Sequence, residues 1–378
     1  MHPDTYDIGI IGAGCAGLSL ARELVGRYGG DLRIALLDPA LLQHPEKTWS
    51  FWTHEPDRYA ALAEGIWHKV SFADHRGALT EPIAPYSYVS IPARRYRQHI
   101  LDELFRLPSV HLRTEASRRY GPSGRNYLIQ TEGAEIRCER LFSSVHPPAT
   151  RPARYALQQH FLGWFVETPE PAFESDTVTL MDFRTEPGSG AEFVYVLPYS
   201  DRRALVEYTV FSPRPWPVGT YEEKLKAYLH RRSIDRYNVT ASEQGSIPMT
   251  DYPFPQQTAD GLHHIGLAGG LARPATGYAF RFIEQDSALI AASLQDGQVS
   301  RFSAAGRHQF YDRLLLHLID RFPERVPGIM SALFRRNRFA DILAFLDRSS
   351  APLDEARIFW RLPWSPFLRV LYESYLRP

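Results

Sequence analysis

Residues 6–17 read Tyr-Asp-Ile-Gly-Ile-Ile-Gly-Ala-Gly-Cys-Ala-Gly, a short apolar run that ends in the pattern G-x-G-x-x-G. The run predicts a buried strand, the residues after it have helical apolar spacing, and a second apolar run ends at Asp38. In such a unit Gly12 allows a tight turn, Gly14 lets the backbone approach a pyrophosphate, and Gly17 lets helix and strand pack closely. Asp38 would accept hydrogen bonds from ribose hydroxyls. The stretch therefore predicts a Rossmann-type dinucleotide site.

A second glycine-rich stretch lies late in the chain, at residues 266–277, directly before an apolar pattern with helical spacing. It contains Gly269, Gly270, Thr276 and Gly277. Free N–H groups in a loop and at a helix N-terminus suit anions. We therefore predict that this stretch returns to the first loop and completes an FAD site at the pyrimidine edge of the flavin. A loop that merely enters a helix is the alternative.

The remaining patterns predict an α/β protein with three parts. Short apolar runs without intervening helices, at residues 158–211, favour an antiparallel sheet, whereas helical spacing dominates after residue 302. We predict a Rossmann-type FAD-binding domain, an interleaved antiparallel-sheet substrate domain and a helical C-terminal region. Their predicted residues are 1–60, 93–150 and 245–300 for the first, 61–92 and 151–244 for the second, and 301–378 for the third.

Composition excludes some classes of function. The 378 residues include 43 Lys plus Arg and 43 Asp plus Glu, a balance that argues against nucleic-acid binding because phosphates require a basic surface. Cys15 and Cys138 are far apart, which fits a reducing compartment and neither a disulfide framework nor a metal site. Because the chain starts with polar residues and its apolar runs are too short to cross a bilayer, we expect a cytoplasmic protein.

The last apolar pattern, at residues 367–376, is amphipathic. Such a helix either packs on the protein body or lies on a membrane surface, and both alternatives stay open. Peripheral attachment to the cytoplasmic face of a membrane would bring the protein to substrates dissolved in lipid.

Several stretches together resemble one enzyme family, the lycopene cyclases of carotenoid biosynthesis. Residues 205–209, Leu-Val-Glu-Tyr-Thr, resemble the segment with the family's essential glutamate, although Tyr208 replaces a second acid. Residues 143–147 also depart from the family, since they replace a segment that contains Asp. The other resembling stretches are Thr-Trp-Ser-Phe at 48–51, Met-Asp-Phe-Arg at 181–184, Gly-Ser-Ile-Pro-Met at 245–249 and Ala-Gly-Gly-Leu-Ala-Arg-Pro-Ala-Thr-Gly-Tyr at 268–278.

The resemblance implies a hydrophobic linear polyene as substrate and closure of its end group to a β-ionone ring without net oxidation. It also implies that reduced FAD stabilises the carbocation, with NAD(P)H as the reductant. Protonation of an alkene needs a carboxylic acid kept neutral by a dry site. Glu207, on a strand pattern with apolar neighbours, suits that role. A glutamate that faces solvent from an edge strand is the alternative.

Asp182 and Arg184 are two residues apart on a predicted strand and therefore share a face. The resemblance implies that they belong to the catalytic site, which their ion pair would order. A surface pair that contributes little to stability is the alternative.

Two other classes of protein stay open. An FAD-dependent monooxygenase, halogenase or prenyl reductase could share the fold, although such enzymes commonly have Gly-Asp where this chain has Gly266 and Leu267. A non-catalytic flavin- or carotenoid-binding protein is the other class, because the second acid beside Glu207 is missing.

Overall fold

A computed structural model describes residues 4–371, apart from residues 42, 44–46, 148–151, 186–190, 259–260 and 297–298. The strands in this part of the chain are β1 Asp4–Ile11, β2 Ile34–Leu37, β3 Thr48–Thr53, β4 Gly65–Trp67, β5 Lys69–Asp74, β6 Gly77–Pro82, β7 Ser87–Pro92, β8 Val110–Arg113, β9 Arg119–Ser123, β10 Asn126–Gln130, β11 Glu135–Ser143, β12 Ala156–Glu167, β13 Thr177–Asp182, β14 Ala191–Pro198, β15 Arg203–Ser212, β16 Asn238–Thr250 and β17 His263–His264. The α-helices are α1 Cys15–Tyr28, α2 Ala93–Leu104, α3 Val218–Arg231, α4 Phe280–Ser293, α5 Gly306–Arg321, α6 Val326–Arg336, α7 Phe339–Leu346, α8 Pro352–Trp360 and α9 Trp364–Leu371.

The N-terminal glycine loop follows β1 at the carboxyl ends of the strands of a largely parallel sheet. Strands β8, β2, β1 and β11 run parallel in that order, β17 pairs with the end of β11, and β10 and β9 extend the sheet antiparallel. The apolar side chains of β1 are buried, and Leu18 and Leu24 of α1 join the same core as Ile283 of α4. The loop therefore joins β1 to α1 at the carboxyl ends of the parallel strands, where ligands bind in such sheets.

A second sheet contains most of the predicted substrate domain. Its strand order is β16, β12, β15, β14, β13, β5 and β6, and neighbouring strands are antiparallel except β13 and β5. One face packs against α3 through Tyr221, Leu225 and Leu229. Strand β16 stays paired with β12 up to Thr250 and so crosses the predicted domain boundary at residue 245. Strands β3, β7 and β4 form a separate small antiparallel sheet.

The helical C-terminal region is anchored on the second sheet by a buried carboxylate. Asp74, at the end of β5, accepts hydrogen bonds from Arg335 Nη2 at 2.6 Å and from Ser331 Oγ at 2.5 Å, both on α6. The Arg335 guanidinium holds the pKa of Asp74 well below its usual range. Apolar residues of α5 to α8 form one core with β5, β13 and β14, so the sheet and the helices enclose a common interior.

This architecture confirms the predicted α/β class, with a Rossmann-type unit, an antiparallel sheet and a helical C-terminal region. Helix α9 contains the start of the predicted terminal helix, whereas residues 372–376 lie outside the described residues. Phe367 packs against the C-terminal core, while Leu368 is exposed. Among the described residues, every helix is too short or too polar to cross a bilayer.

Candidate active site

The three glycines of the first loop meet different constraints. Gly12 has φ +95°, and a Cβ there would lie 2.1 Å from Ser144 Oγ. A Cβ on Gly17 would lie 1.9 Å from the Gly12 carbonyl oxygen, so α1 could not pack as closely on the loop. A Cβ on Gly14 would meet no protein atom within 4 Å, and Gly14 faces a cavity. The protein itself does not require glycine at residue 14, but a ligand that approaches the backbone would.

Asp38 and Arg97 hold this loop in place. Asp38 is buried; its Oδ2 accepts from the Ala13 N–H at 2.7 Å and its Oδ1 from the Ala40 N–H at 2.8 Å. Arg97 of α2 donates to the carbonyl oxygens of Ala13 and Leu41 and also lines the cavity. Sequence reasoning missed Arg97, although a charged residue on the apolar face of a predicted helix is a usable signal.

The second glycine loop reaches the same cavity. Gly269 and Gly270 shape its turn, since Gly270 has φ +76° and a Cβ on Gly269 would lie 2.4 Å from a carbonyl oxygen. Thr276 and Gly277 line the cavity together with Gly14. Within the described residues, the buried Thr276 Oγ1 has no hydrogen-bond partner. An unpaired buried hydroxyl costs free energy unless a ligand satisfies it, so the two loops fit a polar group held between them.

The cavity has a volume of about 810 Å³ and extends from the two glycine loops to the helical C-terminal region. Its volume is in the range of ligand sites that enclose most of their ligand. The end formed by α5, α6 and α8 is apolar and includes Leu314, Leu315, Met330, Leu333, Phe334 and Phe359. The cavity therefore combines a polar, glycine-lined end with an end suited to an elongated apolar molecule.

A row of side chains crosses the second sheet in the middle of the cavity wall. Tyr195 of β14 pairs with Glu207 of β15, Glu207 pairs with Gly163 of β12, and Gly163 pairs with Glu243 of β16. Directly paired residues of an antiparallel sheet point to the same face, and Tyr195, Glu207 and Glu243 all line the cavity. Sequence reasoning missed Glu243, because only the pairing of β16 with β12 brings it beside Glu207.

Glu207 lies in the cavity wall and not on a solvent-facing edge strand. Its side chain is 8% exposed, and its Oε1 accepts a hydrogen bond from Thr209 Oγ1 at 2.7 Å. Burial and, to a smaller extent, the Glu243 carboxylate raise the pKa of Glu207 to about 8, although the bond from Thr209 lowers it. At neutral pH this carboxyl group is therefore mostly protonated and able to act as an acid.

Asp182 and Arg184 form the predicted ion pair, but away from the cavity. Asp182 Oδ2 accepts from Arg184 Nη2 at 2.7 Å and from the Tyr228 hydroxyl of α3 at 3.0 Å. Burial disfavours ionisation of Asp182, yet the hydrogen bonds from Arg184 outweigh it and the pKa of Asp182 is lowered. The neighbouring Leu180 and Met181 line the cavity instead. The geometry therefore gives this pair a role in holding β13 to α3, and a direct catalytic role stays a prediction.

Solved structures define the class of fold. The chain is similar to the halogenase PltM, with a TM-score of 0.63 and 13% identity over 99% of this chain and 93% of that one. It is also similar to HpxO of Klebsiella pneumoniae, solved with FAD, with a TM-score of 0.57 and 15% identity over 98% of each chain. The fold is that of FAD-dependent oxidoreductases, with a Rossmann-like parallel sheet and an antiparallel sheet.

Within that class the family is defined by sequence. The model of the lycopene cyclase protein family matches residues 7–372, so the chain belongs to the lycopene cyclase family. It is 26% identical to lycopene beta-cyclase of Pseudescherichia vulneris, over 81% of this chain and 78% of that protein. It is also 26% identical to a chloroplastic neoxanthin synthase of Solanum tuberosum, over 72% of this chain. The match spans only 57% of the length of that plant protein.

Proposed function

We propose that the protein closes the end group of a linear carotenoid to a β-ionone ring by acid/base chemistry, without net oxidation. One observation carries the proposal: a buried carboxyl group, Glu207, with a pKa raised to about 8, lies in the wall of an elongated, largely apolar cavity. Membership of the lycopene cyclase family supports the same substrate class.

The chemistry requires a proton, a dry site and control of positive charge. Glu207 gives its proton to a carbon of the terminal double bond, which leaves a tertiary cation. The neighbouring alkene attacks this cation and forms the ring bond, and a ring carbon then loses a proton. The aliphatic and aromatic walls exclude water that would trap the cation. Tyr88 and Tyr195 line the cavity beside Glu207, and their aromatic rings would favour positive charge nearby.

FAD fits the glycine-lined end of the cavity. The open space at Gly14 suits a pyrophosphate, and the unpaired Thr276 Oγ1 and the left-handed Gly277 offer a close polar approach from the second loop. Asp38 and Arg97 hold the first loop in the shape that such binding needs. Reduced FAD held there would supply negative charge that favours the cation, and NAD(P)H would be the source of its electrons.

The test is expression of the protein in cells that accumulate lycopene, followed by chromatography and mass spectrometry of the pigment. We expect a cyclised isomer of unchanged mass. An oxygenated, halogenated or hydrogenated pigment would replace the proposal with the chemistry of a monooxygenase, halogenase or prenyl reductase. Unchanged pigment beside folded, flavin-loaded protein would indicate a non-catalytic binding protein.

We also propose that the protein binds membrane surfaces through α8 and α9. Leu353, Trp360, Trp364 and Leu368 are exposed apolar residues there, and the last two also line the cavity. Aromatic and aliphatic side chains of this kind insert into the headgroup region of a bilayer. The exposed surface thus joins the apolar end of the cavity, where a substrate dissolved in lipid would enter.

Flotation with vesicles of phosphatidylcholine and phosphatidylglycerol tests this attachment. We expect the protein to float with the vesicles, and the combined Trp360→Ser and Trp364→Ser substitutions to weaken binding about tenfold or more. Phe105→Ser is the matched control, because Phe105 is equally exposed but follows α2 in the FAD-binding part. Equal flotation of both variants would contradict the assignment of this surface.

A further inference from the structure

Two buried carboxyl groups approach each other across a glycine. Glu207 and Glu243 lie on the strands that flank β12, and both pair with Gly163. Glu243 is 6% exposed. A Cβ on Gly163 would lie 2.8 Å from Leu205 Cδ1, 3.2 Å from Glu243 Cγ and 3.6 Å from Glu207 Cβ, so Leu205 and the two acidic residues border the space that glycine leaves free. Glu207 and Glu243 are therefore neighbours on one face of the sheet, with no side chain on the strand between them at residue 163.

Each of the two carboxyl groups accepts a hydrogen bond from a threonine hydroxyl. Thr48 Oγ1 donates to Glu243 Oε2 at 2.8 Å, and Thr209 Oγ1 donates to Glu207 Oε1 at 2.7 Å. Three phenols interact with them from other elements: Tyr88 on β7 and Tyr195 on β14 with Glu207, and Tyr199 after β14 with Glu243. Burial raises the pKa of all three phenols, so they are neutral and offset no negative charge.

Two basic side chains of the cavity wall have contacts elsewhere. Arg97 binds carbonyl oxygens of the first glycine loop, and Arg273 pairs with Asp312 at 2.8 Å in the helical region. Lys47, which precedes Thr48 in sequence, also lines the cavity but is exposed. Two ionised carboxylates side by side in such a dry site would repel each other strongly, and carboxyl pairs of this kind hold one proton between them.

We propose that Glu243 is a positioning residue for the cyclisation: its carboxylate keeps the reactive proton on Glu207. It takes the place of the second acid that the family pattern has at residue 208. Tyr208 itself points to the α3 face, where its hydroxyl donates to Glu192 at 2.6 Å, so it does not act on this pair. This inference rests on the proposed function of Glu207 as the acid.

The proton balance of the reaction is compatible with such a pair. Glu207 transfers its proton to the alkene, a C–H bond forms, and the pair becomes doubly negative beside the cation. That charge stabilises the cation in a site of low dielectric. The ring carbon then releases a proton to a carboxylate of the pair, which restores the singly protonated state without any change in oxidation state.

Infrared titration of purified protein tests the inference without substrate. The difference spectrum between the protein and its Glu207→Gln variant isolates the C=O stretch of protonated Glu207, whose loss with rising pH gives a midpoint. Glu243→Gln removes the like charge, favours the ionised form of Glu207, and should lower this midpoint by about 1–2 pH units. Glu243→Asp keeps the charge but moves it away from Glu207, so its midpoint should lie between those of the unchanged protein and Glu243→Gln. Glu192→Gln, which removes a buried carboxylate from the α3 face, should leave the midpoint unchanged.

An unchanged midpoint in Glu243→Gln, or an equal shift in Glu192→Gln, would overturn the inference. If Glu243→Gln does not fold, the midpoint of Glu243→Asp decides: a downward shift supports the inference and no shift overturns it. Because the titration needs no turnover, it stands apart from the pigment assay. Cyclisation of lycopene without a shift of the midpoint would contradict only the role of Glu243. A shift of the midpoint without cyclisation would support the coupled carboxyl pair but contradict the proposed function.

Discussion

Glu207 and Asp182 are both buried carboxyl groups of the second sheet, yet their pKa values move in opposite directions. Glu207 faces the cavity, where its neighbours are a second acid, neutral phenols and one threonine hydroxyl, and its pKa rises to about 8. Asp182 faces α3, where Arg184 and Tyr228 donate hydrogen bonds to it, and its pKa falls. Burial alone therefore does not determine the charge of a carboxyl group, because the partners decide whether it stays ionised.

The same type of side chain thus has a structural role at Asp182 and a proposed chemical role at Glu207. A paired carboxylate stabilises the fold and has no proton to give at neutral pH. A buried carboxyl group that no cation stabilises instead stays protonated, and a reaction can use that proton.

Replacing the acid should remove the chemistry. We expect Glu207→Gln to lower the rate of ring closure by about 10²–10⁴-fold, because the amide cannot donate a comparable proton while it keeps the shape of the side chain. Pigment analysis with folded, flavin-loaded protein measures this effect. Glu192→Gln is the control, since its buried carboxylate lies on the α3 face. Retained cyclisation in Glu207→Gln would show that the proton comes from another group.

The same substitution should stabilise the protein in alkaline solution. The raised pKa means that the folded protein binds the Glu207 proton more tightly than the unfolded chain does. The contribution of this proton to the free energy of unfolding is therefore complete below pH 4.5, the usual pKa of Glu, and is lost as the pH rises through about 8. Glu207→Gln has no such loss. Between pH 5 and pH 9, urea unfolding should show the stability of the wild type falling on the order of 3–4 kcal/mol relative to the variant. Parallel pH dependence of the two proteins would indicate that Glu207 is already ionised at neutral pH.

Local patterns predicted the first half of the site, because the glycine loop and its two strands are consecutive in sequence. The turn at Gly12 and the open approach at Gly14 are properties of a few adjacent residues. The position of Glu243 could not be predicted in this way. It reaches Glu207 only through two antiparallel pairings with β12, and the register of such pairings depends on the whole sheet.

The side of the sheet on which Asp182 lies was also beyond sequence reasoning. Asp182 and Arg184 do form an ion pair, although β13 ends at Asp182 and Arg184 lies beyond the predicted strand. Alternation also does not say which face of a sheet borders a cavity. Moreover, the register of β13 shifts between Thr179 and Asp182. Such an irregularity interrupts strict alternation, and Leu180 and Met181 consequently both line the cavity.

Breaking the paired carboxylate should have the smallest of the three effects and the opposite pH dependence. We expect Asp182→Asn to lower the free energy of unfolding by about 2 kcal/mol at pH 7, a modest loss because Arg184 is 42% exposed and can turn to water. The lowered pKa means that this stabilisation is present above pH 3.8, the usual value for Asp, and disappears as pH falls through the folded-state value. Urea unfolding at pH 7 and at the acid end of the folding range measures both. A folded Asp182→Asn protein of unchanged stability that has lost ring closure would instead assign the pair to the reaction, and the contrast with Glu207 would no longer hold.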